Sequence, residues 1–191
     1  NQIMRYLNDA ALSVYAILIN ITTFVQCCAY AVGQASQPII STNYGAKNTK
    51  RIKETLKHCF YSLLFVSFIF LILTQSYPNM FTYMFMTPTD EVLQIAPKII
   101  RIYSISFILL PINIFASYYF QSILKNKIAF FISTFRGLIL SAILIMTLPL
   151  INSNLLWYAM PITEIITTIL SIYFIIYYTK KISINEDNTD K

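Results

Sequence analysis

Long tracts without charge alternate with short, lysine-rich turns along this chain. The tracts run from Ala10 to Ala46, Cys59 to Thr89 and Ile102 to Leu124, with two more in the last third interrupted only by Arg136 and Glu164. A helix needs about 20 apolar residues to cross a hydrocarbon core. The pattern therefore predicts spans at 12–41, 59–77, 100–123, 129–150 and 155–179. Turn chemistry separates them: Asn43-Tyr44-Gly45, Tyr77-Pro78-Asn79 with Thr87-Pro88-Thr89-Asp90, Lys125-Asn126-Lys127, and Asn152-Ser153-Asn154. The runs are too long, and alternate too little, for barrel strands. The expected fold class is all-α: a polytopic membrane bundle of five full helices plus the end of a preceding one.

Within two predicted spans, polar residues recur at helical spacing. Thr22, Gln26, Tyr30, Gly33, Gln37 and Ser41 step by three or four residues, which stacks them on one side of the first span. Tyr103, Ser106, Asn113, Ser117 and Gln121 repeat the pattern in the third, broken at Leu110, and Pro111 is expected to kink that helix and open a cavity or gate. A face that meets only lipid needs no polar groups. One reading is interhelical hydrogen bonding, worth about 0.6 kcal/mol per contact. The other is a polar pathway through Gln26, Tyr30, Gln37, Tyr103, Asn113 and Ser117, suited by its rings and amides to a small organic cation or amphipathic solute. The second span, apolar from Leu63 to Leu73 except for Ser67, is expected to face lipid.

Arg136 and Glu164 are the two charges inside the apolar spans, and each costs at least about 2.5 kcal/mol at the bilayer centre unless partnered. Helical rise puts Arg136 about 10 Å in from the cytoplasmic end of its span and Glu164 about 13 Å in from the outer end of its own. Two long side chains can bridge the difference. The pair is either a static pin between the last two helices or a site where Glu164 takes protons or cations under the control of Arg136. Pro161, one turn earlier, is expected to distort the helix and free a carbonyl.

Composition fits a membrane protein: 57% hydrophobic and 12% charged residues, with mean hydropathy +0.61, against about 25% charged in a soluble domain. The net charge of +6 is scattered in clusters rather than spread over one face, so nucleic acid is not an expected partner. Ten cations fall on one side: Lys47, Lys50, Arg51, Lys53, Lys57, Lys125, Lys127, Lys180, Lys181 and Lys191. The other side has Arg5, Lys98 and Arg101 against Asp9, Asp90 and Glu91. The positive-inside rule makes the lysine-rich side cytoplasmic. Cys27, Cys28 and Cys59 lack metal-ligand spacing and read as reduced packing thiols, and His58 beside Cys59 has no third ligand. No catalytic group, metal site or cofactor is expected, because the spans lack the clustered His, Asp or Glu that membrane enzymes use.

The chain opens on Asn1, without a short apolar core and small-residue cleavage site. A fragment of something longer is expected, with residues 1–9 ending a preceding helix and its outer loop, 10–180 forming the membrane unit, and 181–191 a disordered cytoplasmic tail.

The run Gly33-Gln34-Ala35-Ser36-Gln37-Pro38-Ile39-Ile40-Ser41-Thr42-Asn43-Tyr44-Gly45-Ala46-Lys47, followed by Arg51-Ile52-Lys53, resembles the G-x-x-x-P-I-x-x-x-N-Y-G-A-x-x-x-x-R-x-K segment of multidrug and toxic compound extrusion (MATE) transporters. Tyr118-Tyr119-Phe120-Gln121-Ser122-Ile123-Leu124-Lys125 looks like the family's Y-F-Q-A-x-G-K. Arg136 with Leu148-Pro149 is similar to its eleventh helix, and Pro161-Ile162-Thr163-Glu164 to the P-I-[ST]-[DE] of its twelfth. The resemblance covers residues 1–180. It implies the carboxy-terminal lobe of a twelve-helix, two-lobe antiporter in the cell membrane, which expels cationic or aromatic compounds in exchange for Na+ or H+ by alternating access. The amino-terminal lobe would lie in the same or a second chain. Alternatives are a truncated or split product inactive alone, and a lipid-linked glycan flippase, whose basic cavity only Arg136 could supply. The coupling carboxylates of the family's first and seventh helices would lie outside this chain, and its tenth-helix Asp has no counterpart between Ile102 and Leu124. The coupling ion is therefore unassigned.

Overall fold

A computed structural model describes residues 9–187, and their side chains through Ile184. The expectations for residues 1–8 and 188–191 lie outside the described residues. Five helical runs are long and apolar enough to cross a membrane: Asp9–Gly45, Thr49–Ser76, Asp90–Ser122, Asn126–Ile151 and Ser153–Ile184.

The first run is α1 (Asp9–Gly45) and the second α2 (Thr49–Ser76). At about 55 Å, the 37 residues of α1 exceed a 30 Å hydrocarbon core, so its ends stand in the interfaces. Its C-terminus turns through Lys47 at φ 55°, with the Asn48 N–H bonded to the Asn43 carbonyl. Asn48 then caps α2 by accepting from the Arg51 N–H at 3.0 Å. The loop predicted after the second span holds a short helix, α3 (Pro78–Phe85), begun by Pro78 where a missing N–H costs nothing.

The third run starts ten residues before the predicted Ile100. Thr89 caps α4 (Asp90–Ser104), a helix that carries Asp90 and Glu91 in its first turn and Arg101 in its last, signs that suit its dipole. These charges break the charge-free tract, which is why the start of α4 lies outside the predicted span. A 3₁₀ stretch, Ile105–Ile108, leads into α5 (Leu110–Ser122). Pro111 therefore lies in the first turn of α5, where no backbone donor is needed, and the regular helix of the run is interrupted one turn earlier, at the 3₁₀ stretch. This run is the hub: 72% of its apolar window is buried, against 11% for the fourth run.

The fourth run is α6 (Asn126–Thr134), a π-helical segment Phe135–Leu140 and α7 (Ser141–Ile151). The fifth opens with a 3₁₀ turn, Ser153–Tyr158, and continues as α8 (Ala159–Asp187). Pro161 sits in the first turn of α8, so the expected distortion at Glu164 is absorbed by the helix start. At its other end α8 stays helical to Asp187, into the stretch expected as a disordered tail, with Ile182 still packed against the core.

The core joins Val14, Leu18, Val25 and Ala29 of α1 to Ile100, Phe107, Phe115, Tyr119 and Phe120 of the hub, with Leu63 of α2 and Ile175 of α8. On α2, Phe65, Phe68 and Ile72 are exposed as a lipid-facing side requires. Cys59 is buried, but Cys28 is half-buried and Cys27 exposed, so Cys27 is not a packing thiol within this unit. The three lysine-rich segments share one end: Lys53 Nζ lies 3.4 Å from Ser183 Oγ, and Lys125 Nζ sits over the Tyr178 ring. At the opposite end Gln75 donates to the Arg101 carbonyl at 2.8 Å and to Ser104 Oγ at 3.0 Å.

Candidate functional site

Two polar regions emerge, one buried and one open. The buried one is built where α5, the π segment and α8 meet. Arg136 Nη1 donates to Glu164 Oε1 at 3.0 Å, while Asn113 Nδ2 donates to Glu164 Oε2 at 2.6 Å and to the Glu164 carbonyl at 3.1 Å. Glu164 is fully buried and the Arg136 side chain 19% exposed. The carboxylate thus has a donor on each oxygen, as a charge out of water requires.

Asn113 Oδ1 is buried without a protein donor. The same holds for Thr168 Oγ1 and Ser171 Oγ, one and two turns further along α8. Thr163 and Thr167 return their hydroxyls to carbonyls four residues back. Glu164 therefore heads a buried hydroxyl-bearing side of α8 that continues toward the lysine-rich end. Sequence reasoning missed this side, although Thr163, Thr167 and Ser171, and Thr179 beyond the gap at Ile175, keep the four-residue spacing that would have revealed it.

The open region lies on α1, α5 and α6. Gln37, Gln121 and Ser133 line a groove of about 510 Å³ at the lysine-rich end, together with Ala129 and Phe130. Ser117 and Ser133 hydroxyls are 2.8 Å apart. Deeper in, the Tyr30 ring meets Tyr118 edge-on at 6.3 Å between centroids. Tyr118 in turn rests on Gly33: a Cβ there would fall 2.5 and 2.7 Å from ring carbons, so only glycine admits the ring. Ser133 was missed because a lone Ser in an apolar tract carries no periodic signal.

The six expected pathway positions divide between these regions. Tyr30, Gln37 and Ser117 belong to the open face, and Gln26, half-buried, stands one turn before Tyr30 on α1. Asn113 is instead committed to Glu164. Tyr103, 6% exposed, is packed against Phe107 and borders a small pocket with Tyr15, Trp157 and Met160, away from the groove. For Tyr103 the reason is the 3₁₀ stretch: at 120° per residue instead of 100°, four residues rotate what precedes them by about 80° relative to α5. Among the described residues no three His, Cys, Asp or Glu side chains gather as metal ligands.

The family model MatE matches residues 2–147 of the chain. No curated protein and no solved structure matches it.

Proposed function

The chain belongs to the MatE family of transporters and is a multi-pass membrane protein, and on that premise we propose that it is the carboxy-terminal lobe of a multidrug efflux antiporter of the cell membrane. In this reading the open face of α1, α5 and α6 lines one half of a central conduit, and a second, amino-terminal lobe supplies the other. The observation that carries it is the gathering of Tyr30, Gln37, Ser117, Gln121 and Ser133 from three helices onto one unpacked side of an otherwise apolar bundle. Ring faces and adaptable amides suit a small organic cation or aromatic compound that must bind and leave.

Coupling to Na+ or H+ is assigned in the same reading to the Glu164 cluster. Its buried carboxylate and the donor-free Asn113 Oδ1 supply acceptors for an entering cation, and Arg136 sets how readily they yield. A flippase for lipid-linked glycans is less well supported, because Arg136, the one cation within the apolar tracts, is already engaged by Glu164.

The test is export of a cationic dye from proteoliposomes carrying the full-length transporter, driven separately by a Na+ and a pH gradient. Glu164→Gln is expected to abolish acceleration by one gradient while dye binding persists. Unchanged acceleration by both gradients removes Glu164 from coupling, and no dye export by the unaltered protein removes the efflux reading.

A further inference from the structure

At the lysine-rich end, α2 and α8 leave a groove of about 440 Å³ between them. Its floor is apolar: Leu56 and Ile175 are nearly covered, but Ile176 and Ile184 are 62% and 49% exposed. Lys53 and Lys180 stand at its rim, and Lys53 Nζ reaches Ser183 Oγ across the gap, so the ammonium of α2 is held over α8.

The level of the groove in the bilayer follows from the sequence. The charge-free part of α2 begins at Cys59, one turn beyond Leu56, so the floor meets the outermost acyl carbons and the lysines stand among headgroups. Tyr61, Tyr173 and Tyr177, all exposed, form an aromatic belt just below. Lys57 lies over the Tyr61 ring on the same side. Among the residues with described side chains, the carboxylate at this end is Glu54, which faces Arg51 on its own helix at 4.0 Å and leaves Lys53 and Lys180 uncompensated.

We propose that this groove is a binding site for one anionic glycerophospholipid of the cytoplasmic leaflet. Lys53 and Lys180 hold the headgroup phosphate, and an acyl chain lies along Leu56 and Ile176 on the membrane side of them. A basic pocket between helices on the cytoplasmic side suits an anionic headgroup. The apolar floor excludes a free anion as the natural occupant, since that would leave the exposed Ile176 uncovered below the lysines. The site does not depend on the efflux reading.

The experiment is native mass spectrometry of the full-length protein in detergent, titrated with dioleoyl phosphatidylglycerol or dioleoyl phosphatidylcholine. One lysine near an anionic surface is worth about fivefold in affinity. The pair K53Q/K180Q is therefore expected to weaken phosphatidylglycerol retention by roughly 25-fold. The charge-matched pair K47Q/K127Q, outside the groove, should stay within about twofold. All four lysines are exposed, so folding is not at stake. Equal weakening by both pairs, or equal retention of phosphatidylcholine, overturns the proposal in favour of a diffuse surface charge. Displacement of the lipid by glycerol 3-phosphate overturns it in favour of a soluble-anion site.

Discussion

Removing Arg136 should cost the protein more than removing the charge of its partner, and the difference is set by burial. Glu164 is fully enclosed and depends on Arg136 at 3.0 Å and Asn113 at 2.6 Å, whereas the Arg136 side chain is 19% exposed and can turn toward water. Arg136→Met leaves a buried carboxylate with one donor, a loss of about 3–5 kcal/mol for a broken buried pair. Glu164→Gln keeps an amide for Asn113 and releases Arg136 toward solvent, so the loss is that of a charged hydrogen bond, about 1.5–3 kcal/mol. With both changes no buried charge remains, and the double variant should be more stable than Arg136→Met alone. The assay is reversible unfolding in mixed micelles, read as a double-mutant cycle. A coupling energy of about 1.5–3 kcal/mol is expected. Strict additivity of the two losses, or an Arg136→Met protein within about 1 kcal/mol of the parent, would show that Glu164 does not depend on Arg136.

Three further outcomes are expected in the same unfolding assay. Gly33→Ala drives a methyl into the Tyr118 ring and should cost about 1–3 kcal/mol, while Gly137→Ala, with open space around it, should be neutral or stabilising. Tyr119→Phe removes a 2.6 Å hydroxyl contact between α5 and Thr179 of α8; Thr179 still bonds the Ile175 carbonyl, so a loss of about 1 kcal/mol is expected. Leu124, where the Y-F-Q-A-x-G-K pattern has glycine, holds φ at 58° and is 74% exposed, so Leu124→Gly should stabilise by about 1 kcal/mol.

The spans were legible because a charge-free tract of 20 residues has few other uses. The start of α4 was not, since Asp90, Glu91, Lys98 and Arg101 interrupt the charge-free tract that marks the rest of this run. On α1 the packed row Val25, Ala29, Ser36, Ile40 and the polar row Gln26, Tyr30, Gln37, Ser41 differ by one residue, or 100° around the helix. Periodicity finds both rows equally well, but only packing tells which is covered. The polar stripe of the third span lost its phase at the 3₁₀ stretch, which turned Tyr103 into the bundle, whereas Asn113 shares α5 with Ser117 and Gln121 and is set apart from them by its bonds to Glu164. Depth arithmetic did bring Arg136 and Glu164 within reach of each other. The π segment that carries Arg136 left no trace in the residue pattern.

Thiol accessibility tests the conduit itself. In a full-length transporter with Cys27, Cys28 and Cys59 replaced, single cysteines at Tyr30, Gln37, Gln121 and Ser133 should react with a membrane-impermeant reagent and be protected by saturating substrate. Cysteines at the lipid-facing Phe65 and Ile72 should not react. Equal reactivity of the two sets, or silence at all four polar positions, would contradict a water-filled pathway along α1, α5 and α6.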